Sequence, residues 1–144
     1  KYQEANPGVY FRNNVWWWRP LWQFVCEKFP GLITDEEAES GCSNSGLLID
    51  ADKSMRIGVE LTAMLEDGRV QEHSDMYKAE LEALPQVDCY VCDNNNRGNK
   101  KKKECKPCNQ TGKKDDWAKS YPFDVENVRE FAKFCLESGG FEIW

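Results

Sequence analysis

"YPFDVENVREFAKFCLESGGFEIW", residues 121–144, decides how this chain is to be folded, because it joins the most regular helix signal in the sequence to a terminal β-prone run. Asp124 stands where an N-cap carboxylate accepts from the unpaired amides of a first turn. Behind it Val125, Val128, Phe131, Ala132 and Cys135 recur at helical spacing, and Gly139 falls where a left-handed cap ends a helix. "FEIW" then reads as a short strand, whose expected partner is Val9–Arg12 in the alternating, β-prone "VYFRNN".

Working inward, Asp50 or Asp52 is a good N-cap for a helix lined by Met55, Val59, Leu61, Thr62 and Leu65 and stopped at Gly68. A second helix is expected over Gln71–Ala83 with Met76, Tyr77, Leu81 and Leu84, ending before Pro85 and packing antiparallel on the first. "ITDEEAESGCSNSG" reads as a polar loop with one helical turn at Asp35–Glu39. Pro20 suits the first position of a helix over Pro20–Lys28 and biases Arg19 toward extended angles.

With 144 residues, 40% hydrophobic and 31% charged, the chain is long enough for one apolar core and too charged for a membrane span. No apolar run approaches the roughly 18 residues of a transmembrane helix, and no signal-peptide pattern opens the chain, so a soluble protein of the cytoplasm is expected. Seven cysteines are present. Four of them form Cys89-x2-Cys92 and Cys105-x2-Cys108, spacing that closes a tetrahedral shell of thiolates around zinc. Such a site has no open position for an activated water, so it is structural rather than catalytic. An iron site of the rubredoxin kind uses the same spacing. The expected fold class is therefore α+β. One domain over 1–144 is mainly helical, with a small sheet joining the N- and C-terminal strands and a four-cysteine zinc ribbon inserted at 87–112.

The second cysteine pair continues as "CKPCNQTGK", Cys105–Lys113, and resembles the cysteine-rich repeat of the DnaJ chaperone family, with Cys105, Cys108, Thr111 and Gly112 matching and Asn109 and Gln110 departing. That resemblance implies metal-knuckle geometry for one site; chaperone activity is not carried over. The whole chain is also similar to a group of small bacterial and bacteriophage proteins. These pair a "YFRNNVWWWRPLW"-like segment, here Tyr10–Trp22, with a central cysteine module and a closing segment like Tyr121–Ile143. This resemblance implies a microbial or viral source and brings no activity with it. For a phage protein, the plausible role is inhibition of a host factor by contact.

Net charge is −6 but unevenly spread. From Asp93 to Lys114 eight basic residues (Arg97, Lys100, Lys101, Lys102, Lys103, Lys106, Lys113 and Lys114) stand against Asp93 and Glu104, so this segment carries +6 and the remainder −12. Such a basic finger either compensates a site left near about −2 by four thiolates on zinc or contacts a phosphate-bearing or acidic partner, nucleic acid included. The nearest rings to it are Tyr90 and Trp117.

"VWWWRPLW", Val15–Trp22, holds four of the six tryptophans. Read as strand then helix, it puts Trp17 and Trp22 in the core. Arg12, Asn13, Asn14, Trp16, Trp18 and Arg19 are left as a ligand-gripping set for a small molecule or nucleotide, in which indoles stack, guanidinium pairs with an anion and amides orient. No phosphate loop, nucleophile elbow or zinc-protease pattern occurs, and the single His73 reads as an exposed helix residue. Cys26 and Cys135 read as packing residues and Cys42 as the best-placed reactive thiol. The expected function is a non-catalytic zinc-ribbon binding module acting through protein or nucleic-acid contacts. Small-molecule capture by the aromatic-arginine segment is the alternative.

Overall fold

A computed structural model describes residues 11, 13–43, 45–88 and 113–143. The chain divides into two compact units, Lys1–Lys78 with Tyr121–Trp144, and Ala79–Ser120. The fold is mostly helical with very short antiparallel strand pairs, an α+β arrangement.

In the first unit, α1 runs Val15–Lys28 and α2 Asp35–Ser40, followed by β1, Leu47–Ile49, and α3, Ala51–Glu66. The helix α4, Arg69–Ala83, begins in this unit, which closes with α5, Val125–Ser138, and β4, Phe141–Ile143. The helix expected from Asp124 is present, with the Asp124 carboxylate accepting from Asn127 N at 3.2 Å and Gly139 at φ 67 in the left-handed region. Asp50 likewise caps α3 by accepting from Lys53 N at 2.8 Å. The turn at Asp35 carries a capping box in which Thr34 and Glu37 each accept from the other's amide.

The core gathers Leu21, Trp22, Phe24 and Val25 of α1, Ile57, Leu61 and Met64 of α3, and Val128, Phe131, Ala132 and Cys135 of α5, with Ile49 and Ile143 from the strands. α3 packs along α5, and Gly58 lets them approach closely, since a Cβ there would lie 2.8 Å from Leu136 Cγ and 3.0 Å from Ala132 O. Ser54, buried in the same seam, donates its hydroxyl to Cys135 O at 2.7 Å.

Several expectations are corrected. The strand beside β4 is β1, with Leu47 opposite Ile143 and Ile49 opposite Phe141; apart from Phe11, the expected Val9–Arg12 strand lies outside the described residues. The reason is local: α3 and α5 lie together, so the segments entering one and leaving the other meet, and Gly139 and Gly140, both at positive φ, turn the chain back onto Ile49. The α3 core face is rotated from the expected one, and Met55 and Val59 are 47% and 51% exposed. Its main partner is α5, not α4, whose buried residues are Val70 and Ser74. Finally α1 starts at Val15 rather than Pro20. Asn14 caps it by accepting from Trp17 N at 3.1 Å, so Pro20 sits inside the helix, buried, and costs one intrahelical hydrogen bond.

The second unit contains the end of α4, β2 at Val87–Asp88, β3 at Lys113–Lys114 and a 3-10 turn at Trp117–Ser120. β2 and β3 pair antiparallel, Val87 opposite Lys114 and Asp88 opposite Lys113. Among the residues of this unit whose burial is described, which leave out Asp88 and Lys114, none is buried.

Two predictions follow from the packing. A Cβ on Gly41 would collide with Nε1 and Cε2 of the buried Trp22, although the backbone there is ordinary right-handed, so Gly41→Ala should lower stability by about 1–3 kcal/mol. Gly31→Ala, which meets nothing within 4 Å, should melt like the parent, and equal melting temperatures for both variants would refute the packing. Glu37, which accepts from Lys53 Nζ at 2.5 and 2.7 Å, is held below its ordinary 4.5 chiefly by that hydrogen bond. Its stabilisation is complete above 4.5 and is lost as pH falls through the lower folded value. The stability difference between the parent and Glu37→Gln in urea titrations should therefore be flat near neutrality and shrink on acidification.

Candidate functional site

The tryptophan run is helical, and a 100° step per residue redistributes its rings relative to an alternating strand. Trp18 and Trp22, four apart, share one face of α1; their rings stack at 5.4 Å and 16°. Trp18 Nε1 donates to Gly41 O at 2.8 Å and Trp22 Nε1 to Ala38 O at 3.0 Å. Trp22 is fully buried, and Trp18 packs on the core with its edge against Phe131. Trp17, expected inside, is instead as exposed as Trp16, 37% in each case. The core assignment thus holds for Trp22 and passes from Trp17 to Trp18.

The other members of the expected gripping set part company. Asn13 and Asn127 form a reciprocal amide pair, Asn13 Nδ2 to Asn127 Oδ1 at 2.7 Å and Asn127 Nδ2 to Asn13 Oδ1 at 3.0 Å, tying the entrance of α1 to α5. Asn14 is the cap described above, and Arg12 lies outside the described residues. Trp16 and Arg19 remain at the surface and meet on Tyr121, which the sequence reading had not singled out. The Trp16 ring lies 4.8 Å from that of Tyr121, while Arg19 Nη1 donates to its hydroxyl oxygen at 3.3 Å and the guanidinium carbon is 6.0 Å from the ring centre. Tyr121 is itself held from behind, because its carbonyl accepts from the Tyr77 hydroxyl at 2.6 Å. Trp16, Arg19 and Tyr121 together form a small aromatic-guanidinium surface.

His73 is not an exposed helix residue. Its ring lies 4.6 Å from both Phe24 and Phe123, half-buried in an aromatic cluster with Tyr77. The Cys26 thiol is pushed up to about 12, first by burial and then by the neighbouring Cys42. Burial also raises Cys42, with the Arg19 charge opposing, and raises Cys135. A thiol whose ionisation is pushed up is a poor nucleophile near neutrality, so Cys42, though exposed, is not activated.

Cys89, Cys92, Cys105 and Cys108, together with Arg97, Lys100, Lys101, Lys102 and Lys103, lie outside the described residues. Among the described residues there is no group of three or more histidine, cysteine or acidic side chains that could hold a metal, and no helix is long and apolar enough to cross a membrane. What is described is the place where the cysteine segment leaves and rejoins the fold, the β2 and β3 pairing around residues 89–112. No family model matches the chain, and no curated protein or solved structure is significantly similar to it.

Trp18→Phe removes both an indole donor and part of a stack, and should cost about 1–3 kcal/mol in chemical denaturation. Trp17→Phe, at a half-exposed position, should stay within about 0.5 kcal/mol of the parent. The reverse order would restore the strand reading.

Proposed function

We propose that this chain is a non-catalytic binding module of microbial or phage origin that works in a reducing cytoplasm. In it Cys89, Cys92, Cys105 and Cys108 hold one zinc ion in a closed zinc ribbon at 87–112. Arg97, Lys100, Lys101, Lys102 and Lys103 present positive charge to a phosphate-bearing or acidic partner, which for a phage protein would be a host component to be blocked.

The observation that carries this reading is the lack of any buried residue among those of Ala79–Ser120 whose burial is described, combined with a β2–β3 ladder of two residues per strand. A ladder of that size is marginal in water without an apolar face behind it. Four thiolates on one metal supply the missing cohesion, because metal binding to a site absent from the unfolded chain is itself folding free energy. The pairing of Asp88 with Lys113 also suits a ribbon, since it brings the segment's two ends side by side, with Cys89 next in the chain after Asp88. The competing reading, capture of a small molecule by the aromatic-arginine segment, has weaker support. Asn13, Asn14 and Trp18 are all engaged in holding α1.

Protein purified without chelator should contain about one equivalent of zinc, bound by four cysteines and lost in Cys105→Ser. Zinc or iron below about half an equivalent by elemental analysis would overturn the ribbon.

A further inference from the structure

We infer that Asp67–Gly68 is a latent isomerisation site which Arg69 keeps shut, so that covalent ageing of this chain starts at the junction of α3 and α4. The inference is independent of the zinc module and lies wholly within the helical unit.

This is the one Asp-Gly step in the sequence, which contains no Asn-Gly. An aspartate followed by glycine is the pairing most prone to ring closure, because no side chain on the second residue hinders the approach of its nitrogen. In that reaction the Gly68 nitrogen bonds to the side-chain carbon of Asp67. The amide proton and the carboxyl hydroxyl leave as water, and a five-membered imide results. Water then reopens the ring. Cleavage at the main-chain carbonyl leaves the chain running through the side chain, as isoaspartate, with the mass unchanged. Water is the only co-reactant.

Space does not prevent closure. Gly68 lies at φ 87, and a Cβ there would meet nothing within 4 Å. Two other features oppose it. Asp67, at φ −89 and ψ 0, is still in the right-handed region, which turns the Gly68 nitrogen away from the side chain, so closure requires rotation about ψ. That rotation is resisted because both carboxylate oxygens are held. Oδ1 accepts from Arg69 N at 3.0 Å and Oδ2 from Arg69 Nε at 2.7 Å, while Gly68 O accepts from Glu72 N at 3.0 Å in the first turn of α4. The bonds from Arg69, that of its backbone amide first, also hold the Asp67 carboxyl below its ordinary 3.8. This depletes the protonated form, the one whose hydroxyl leaves. On either side Met64 and Val70 are buried, fixing the ends of a link that isoaspartate would lengthen by one carbon.

The test is prolonged incubation of the full chain in warm neutral buffer, with isoaspartate counted by an isoaspartate-specific methyltransferase and located by electron-transfer fragmentation. In the folded parent it should accumulate far more slowly than in denaturing urea, and at Asp67 before any other position. Arg69→Leu removes the guanidinium but keeps the amide donor, and should raise the rate severalfold. Since both side chains of the pair are exposed, this variant should melt like the parent. Arg69→Pro removes both donors, suits the first position of a helix, and should raise the rate further. Gly41→Ala, destabilised at a separate packing contact, should stay slower than either. Equal rates in the parent and Arg69→Leu overturn the inference, as does a first isoaspartate at another position. A rate in Gly41→Ala matching that of Arg69→Pro overturns it too, because global opening rather than Arg69 would then set the pace.

Discussion

The stacked pair Trp18 and Trp22 is the contact on which the larger unit depends. α2 spans only Asp35–Ser40, too short to persist in water by its own hydrogen bonds, and the turn that follows it closes with Gly41 N on Glu37 O, Cys42 N on Glu39 O and Ser43 N on Ser40 O. Two indole N–H groups from α1 supply donors to Ala38 O and Gly41 O. The requirement propagates outward. Gly41 must lack a side chain because the Trp22 ring occupies that space, and α2, once anchored, places Glu37 against Lys53 of α3. α3 then lies on α5 through Gly58 and Ser54, and the strands at their ends come together as a consequence.

This hierarchy explains what could be read from the sequence and what could not. α5 was legible because its cap, its apolar period and its terminal glycine all agree, and agreement across levels is what makes a segment predictable. α3 was legible as a helix, but its buried face was misjudged. Searching for large apolar residues selects Met55 and Val59, whereas close packing on α5 buries Ser54 and Gly58, one small and one without a side chain. The strand Leu47–Ile49 is three residues long, below the length at which alternation can be recognised. Pro20 was over-weighted as a boundary, for an apolar face of Leu21, Trp22, Phe24 and Val25 outweighs one missing hydrogen bond.

The candidate site was less legible for a different reason. Asparagine, arginine and tryptophan have the same chemistry whether they serve a ligand or the fold, and only the partner distinguishes the two uses. Asn13 finds Asn127, 114 positions away, and Arg19 finds Tyr121; neither pairing leaves a trace in local spacing. The one signal available in advance was the period of the run. Had residues 15–22 been tested at four-residue spacing, Trp18 and Trp22 would have fallen on one face together.

The two units differ in how they can be held together, and that difference bears on how the chain would be controlled. Lys1–Lys78 with Tyr121–Trp144 has an apolar core drawn mainly from three long helices. Ala79–Ser120 has no buried residue among those whose burial is described, and its sequence concentrates thiols and lysines. On the zinc reading, order in the second unit follows metal supply and cysteine redox state, because a coordinating cysteine must be a thiolate. Outside the cysteine segment, burial pushes up the ionisation of Cys26, Cys42 and Cys135, which disfavours their thiolate forms near neutrality. Metal and redox chemistry would then act on the binding surface alone, leaving the helical unit folded to carry it.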